Sequence, residues 1–377
     1  MEESRRALDK IELIAARADD LVSLWRESTE VLAGVVPHYD APCWYTLDPA
    51  SLLITSHYNP GMPQFPPEWL AHEYYGEDVN TLVDVARSES GVATLHEATG
   101  GDPSTSRRWR ANMTLGGDQE MICRLQTKSG EVWGALGLYR APGAATFSSE
   151  EKAFVKEASR HWAMGARRTL LLADAREPEG PNVPGLVVLT ETFEVESATP
   201  GVERWLADLP DGDWDAGVLP SSVLAVAGRA THPSPARPDG TGMALSRVRC
   251  RSGSWVVLHG AALVTDGQPR VAVIVQPADP ARITPLLMSA YGLTDREQDV
   301  TLAVLKGEST HEIASSLFLS SHTVQQHLKN VFEKTGVRSR RDLVGKVFFS
   351  HYEPRLRDNE QRIADELPLR GAPLVSS

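Results

Sequence analysis

The chain has 377 residues, 41% of them hydrophobic, and at roughly 150 residues per domain that length allows two or three domains, each burying its own core. A net charge of −12 excludes a chain that coats nucleic acid unspecifically, because bulk affinity for phosphates is supplied by cations. Three cysteines, at positions 43, 123 and 250, exclude a disulfide framework and paired thiolate ligands, so buried thiols in a reducing cytoplasm are expected.

The chain opens on MEESRRALDKIELIAARADDLVSLW, a charged amphipathic helix reaching about Leu32 and lacking the apolar core of a signal sequence. No run of about 18 apolar residues occurs, and no membrane partner is expected. CWYTLDPASLLITSHYN predicts two short strands around the Asp48-Pro49 turn. MICRLQT and EVWGALGLYR predict a strand pair across Ser129-Gly130, with Gly134 and Gly137 leaving room for close packing on the sheet. Ser148 and Glu151 have the spacing of a capping box, and Phe154, Val155, Ala158 and Trp162 keep helical spacing behind it. Residues 1–176 therefore read as an α+β domain. Its aromatic residues (Trp44, Tyr45, Tyr58, Phe65, Trp69, Tyr74, Tyr75, Trp109 and Trp133) either line an apolar pocket or fill a core, and their spacing favours core.

Three prolines and two glycines in EPEGPNVPG mark a linker over 177–185. In 186–278, strands are expected at GLVVLTETFEVES, SWVVLHGAAL and RVAVIVQPA, with short helices at GVERWLADL and SSVLAVAGRA. THPSPARPDGTG, from Thr231 to Gly242, reads as a surface loop, and 279–290 as a second linker. The order of N-terminal helix, strands, WGALGLYR, FSSEE and closing helix resembles a GAF domain. The β-α-α-β-β order of the middle segment resembles a PAS domain. Both resemblances imply sensory modules that hold a small molecule or dimerise.

From Leu293 onward the helix signals are dense. Thr294 to Glu297 and Ser309 to Glu312 are capping boxes, Gly307 and Gly336 are stops, and Ser320 caps a longer helix. Val324, Leu328, Val331 and Phe332 form that helix's apolar stripe, while His322, Gln326 and Lys329 point away from it and Gln325 sits on the flank. A short helix, a turn over Phe318 to Ser320 and a longer helix make a helix-turn-helix. Lys329, Lys334, Arg338, Arg340, Arg341 and Lys346 face only Glu333 and Asp342, a basic footprint on an acidic body.

LTDREQDV…KGESTHEIASSLFLSSHTVQQHLKNVFEKTGVRSRRDLV closely resembles the C-terminal DNA-binding domain of the LuxR/FixJ family of bacterial transcription regulators, over about 60 residues. Two positions depart from the family pattern: Thr301 stands where leucine is usual, and Gln325 where lysine is usual. The resemblance implies base reading by Gln325, Gln326 and Lys329, and backbone contacts from Thr310, Thr323, Arg338 and Arg340. It also implies a dimer contact on the fourth helix through Leu343, Val344, Val347 and Phe348, the alternative being packing within the chain. Glu297 is expected to anchor the domain through a cation such as Lys334, and His327 to be structural or phosphate-facing.

The fold class expected is thus multidomain: an α+β GAF-like domain, an α+β PAS-like domain and an all-α four-helix LuxR-type helix-turn-helix domain over 291–350, with a tail at 351–377. The function this implies is a cytoplasmic, homodimeric, sequence-specific transcription regulator. Its partners would be double-stranded DNA, RNA polymerase and a small-molecule effector, with no cofactor or metal. The alternative is a signalling adaptor whose terminal domain mainly dimerises. Neither G-x-x-x-x-G-K-S/T, G-x-S-x-G, H-E-x-x-H nor C-x-x-C occurs, and no enzymatic activity is expected.

Overall fold

The computed structural model describes residues 2–61, 66–75, 78–172, 184–231, 244–263, 269–278, 288 and 291–344. They fall into two compact units, one reaching Gln276 apart from two short excursions and the other running from Pro277 onward. Of the sequence expectations, Phe65, Val347, Phe348 and the tail lie outside the described residues, as do nearly all of the two linkers and the THPSPARPDGTG loop.

The N-terminal unit holds two five-stranded antiparallel sheets. The first comprises β1 (Tyr39–Leu47), β2 (Ile54–Tyr58), β3 (Val92–Thr94), β4 (Gln119–Gln126) and β5 (Val132–Arg140), in the order β2-β1-β5-β4-β3. The predicted strands at Cys43–Asn59 and Met121–Arg140 are thus present, with Trp44 opposite Tyr58 and Ile122 opposite Gly137. The second comprises β6 (Gly185–Leu189), β7 (Val195–Ala198), β8 (Ala244–Arg249), β9 (Trp255–Leu263) and β10 (Arg270–Pro277), in the order β7-β6-β10-β9-β8. Numbered within each sheet, both run second, first, fifth, fourth, third.

Helices α1 (Glu2–Arg17), α2 (Leu21–Ala33) and α7 (Ser149–Leu172) cover one face of the first sheet. Trp25 stacks on Trp44 with centroids 4.7 Å apart, and Trp162 meets Trp44 edge-on at 5.0 Å, an arrangement that aromatic quadrupoles favour. The capping box at the start of α7 is closed as expected: the Ser148 backbone N–H donates to Glu151 at 2.7 Å and the Glu151 N–H to Ser148 at 3.2 Å. All three cysteines are buried thiols outside any disulfide, and burial pushes Cys43 up to about 11 and Cys123 up to about 12.

The other face of the first sheet packs with α3 (Pro67–Tyr75) and α4 (Leu82–Arg87), while α5 (Leu95–Ala98) and α6 (Arg107–Thr114) lie in the connection from β3 to β4. This same core continues into α8 (Val202–Asp208), α9 (Ser221–Thr231) and the second sheet without interruption. Polar ties accompany the apolar contact. Asp48, 2% exposed, accepts from the backbone N and Nε of Arg247, each at 3.0 Å, and the His57 N–H donates to Asp211 at 2.7 Å.

The close approach of α3 to α9 depends on Gly228. A Cβ there would lie 2.5 Å from the Ala71 carbonyl oxygen and 2.9 Å from its Cα, both backbone atoms that cannot swing aside. Gly228→Ala is expected to destabilise the N-terminal unit by about 1–3 kcal/mol, the usual penalty of overpacking. A lowered urea midpoint would report it, and an unchanged midpoint would mean that the two helices separate freely.

Among the described residues, no helix is long and apolar enough to cross a membrane. The C-terminal unit contains α10 (Asp295–Leu305), α11 (Thr310–Ser316), α12 (Ser321–Thr335) and a helical turn at 340–344 around a small core of Val300, Val304, Ile313, Val324, Leu328 and Val331.

Candidate nucleic-acid interface

Local chemistry fixes each helix of the C-terminal unit at its ends. Thr294 and Glu297 close one capping box on α10, and Ser309 and Glu312 a second on α11. Ser320 accepts the Thr323 N–H at 3.0 Å, starting α12, and Gly336 ends it in the left-handed region at φ 68°, where a side chain would be strained. The intervening turn is tighter than composition suggests: Phe318 itself is left-handed, at φ 56°, and 95% exposed.

A charged anchor ties α12 to α10. Lys334 Nζ donates to Glu297 Oε2 at 2.5 Å and to the Gly292 carbonyl at 2.9 Å, as expected of Glu297. Burial alone would raise the Glu297 carboxyl, but the Lys334 ammonium and the Thr294 N–H outweigh it and hold the group below the usual carboxylate range. Thr301, the polar departure in the small core, is 1% exposed and returns its hydroxyl to the Glu297 carbonyl at 2.7 Å, so no donor is stranded there.

With α12 held in this way, its outer surface is specified. Val324, Leu328, Val331 and Thr335 are buried, and Phe332 packs half-buried beside them. Gln325, Gln326 and Lys329 are exposed together on the opposite side, with Gln326 Nε2 donating to Asn330 at 3.2 Å. Thr323 and His327 are half-buried, and Arg338 is exposed. The side chains exposed on this side of the helix thus carry two amides and an ammonium, both hydrogen-bond donors and acceptors.

Arg340 and Thr310 meet. Arg340 Nη2 donates to Thr310 Oγ1 and Nη1 to the Glu308 carbonyl, each at 2.8 Å, so the guanidinium braces the start of α11. Sequence reasoning assigned both to the backbone of a duplex and missed this bond, which links residues thirty positions apart. Leu343 is 1% exposed inside the unit's own core, which is the packing alternative given above for that residue, and Val344 is half-buried against the same cluster.

A family model described as bacterial regulatory proteins, luxR family, matches residues 292–347. The spore germination protein GerE of Bacillus subtilis is 42% identical over 52 residues, 14% of this chain and 70% of that protein. The CsgBAC operon transcriptional regulatory protein of Escherichia coli is 44% identical over 52 residues, 14% of this chain and 24% of that protein. The chain therefore spans most of the first relative and about a quarter of the second. Among solved structures, the Stigmatella aurantiaca phytochrome photosensory core module aligns with 46% of this chain and 37% of its own at 12% identity, with a TM-score of 0.29, too low to assign a fold.

Proposed function

We propose a regulatory role from one premise: the chain belongs to the luxR family of bacterial regulatory proteins. On this reading it is a cytoplasmic, sequence-specific transcription regulator that binds double-stranded DNA as a homodimer and acts on RNA polymerase, and it is not an enzyme. The observation that carries the reading is the face of α12, where Gln325, Gln326 and Lys329 stand exposed on a helix whose other side is locked into the core. A major groove admits one such helix, and an amide pairs with adenine N6 and N7 in two bonds. Thr310, Thr323, Arg338 and Arg340 would meet phosphates, and Val344 would contribute to the dimer contact.

The two sheets of the N-terminal unit would be the GAF-like and PAS-like sensory modules. Their identical strand order supports this, as does the helical cover of the first sheet. A bound effector would then shift the population of arrangements that present two C-terminal units at half-site spacing.

Selection of bound fragments from genomic DNA, followed by a salt series, tests the proposal. Particular sites should emerge, and log affinity should fall by about one unit per log unit of salt for each phosphate neutralised. Gln325→Ala or Gln326→Ala should relax preference at one base position by about 1–3 kcal/mol, whereas Arg340→Ala should weaken all sequences alike. Unchanged preference in both glutamine variants would reject the assigned readout. An adaptor would select no sites at all.

A further inference from the structure

The N-terminal unit holds a half-open pocket of about 260 Å³ between α3, α6 and the first sheet, with Tyr45, Arg107, Arg108, Asn112, Glu120 and Tyr139 in its wall. Its polar lining is unbalanced. Arg108 gives Nη2 to Glu73 and Nη1 to Glu120 Oε1 at 3.2 Å, so one guanidinium serves two carboxylates. Glu73 is otherwise satisfied, its second oxygen accepting the Leu82 N–H at 2.9 Å. Glu120 is not: the residue is 1% exposed, and its Oε2 is buried without a partner. Arg108 Nε is also buried and unpartnered, and the Asn112 amide stands beside the Glu120 carboxyl.

Burial pushes the Glu120 carboxyl above its usual range despite the guanidinium beside it. Glu73 and Glu120 share the one guanidinium of Arg108, so a cation placed beside Glu120 would favour its ionised form. Buried polar atoms without partners are costly, and a ligand entering the pocket could complete the set. Tyrosine rings on the same wall favour a cation, since their faces carry partial negative charge.

We propose that this cavity binds a small organic amine as its ammonium. Glu120 Oε2 accepts from the ammonium, the rings of Tyr45 and Tyr139 flank it, and an acceptor atom elsewhere on the ligand meets Arg108 Nε. The volume limits the ligand to metabolite size. This names the effector class for the sensory reading above and rests on that reading only for its consequence at DNA.

The test uses the full-length protein, calorimetry and thermal melts. The probes are phenethylamine, phenylalaninamide and ethanolamine at millimolar concentration, with hydrocinnamate and phenethyl alcohol as the carboxylate and neutral counterparts of phenethylamine. At least one amine should raise the melting midpoint and bind about tenfold more tightly than the two counterparts. Glu120→Gln, which keeps the shape and removes the charge, should lower amine affinity about tenfold while circular dichroism is retained. If that variant does not fold, the wild-type comparison of amine with carboxylate and alcohol decides.

Absence of amine binding, equal binding of the carboxylate, or unchanged amine binding by a folded Glu120→Gln protein would overturn the proposal. Amine binding that leaves DNA affinity unchanged would uphold the site and remove the sensory reading. A carboxylate that alters DNA affinity while no amine binds would overturn the site and leave the sensory reading standing.

Discussion

Replacing Asp48 by alanine is expected to destabilise the N-terminal unit by about 3–5 kcal/mol, the cost of breaking a buried ion pair from one side. The Asp48 side chain is fully buried and that of Arg247 is 10% exposed. The carboxylate meets the backbone N, Nε and Nη2 of Arg247, so its removal strands donors as well as a charge. Because the core continues from one sheet into the other, both should melt in one transition rather than two. Tryptophan fluorescence is the natural readout: all nine tryptophans lie between positions 25 and 255, so the signal comes from this unit alone. A loss under about 1 kcal/mol, the value of a surface pair, would show that the tie is dispensable.

Glu297→Ala is the second large effect, here on the C-terminal unit. The substitution removes half of a capping box and the partner of Lys334 together. Lys334 is 35% exposed, which keeps the pair below the value of a fully buried one, and a total of about 2–3 kcal/mol is expected. Amide protection in α10 and α12 should fall, and on the proposed function DNA affinity with it, because α12 loses its anchor to α10. The pH dependence follows from the depressed carboxyl. A group held below its unfolded value gives stability that is complete above the ordinary carboxylate pKa of about 4.3 and is lost as pH falls below it through the folded value. Glu297→Gln should flatten that acid limb while leaving stability at neutral pH closer to wild type than alanine does. An acid limb as steep in the glutamine variant as in wild type would assign it to other carboxylates.

The C-terminal helices were legible because their signals are local. Each capping box is a pair of residues three apart, Gly336 stops α12 through its own φ, and the apolar stripe of that helix repeats at helical spacing. The anchor between Glu297 and Lys334 was legible too, since a buried acid in a small helical unit needs a cation. The N-terminal unit was legible only in part. Strand β8, ALSRVR, is not among the expected strands because it carries two arginines; both are buried, with Asp48 accepting from one and the Leu170 carbonyl from the other, partners 199 and 79 positions away. The helices α3 to α6 are only four to nine residues long and depend on tertiary contacts, which single-sequence patterns do not encode. The aromatic residues divided between the two readings: Trp44 and Trp133 are core, Trp69 lines the cavity, and Tyr45 does both.

One core beneath two sheets has a consequence for how such a molecule is inherited and dissected. Recombination that swapped either half for a foreign homologue would have to supply a matching Ala71, a glycine opposite it and a carboxylate for the stranded guanidinium, all at once. The exchangeable piece is therefore the pair, which travels as a single cassette.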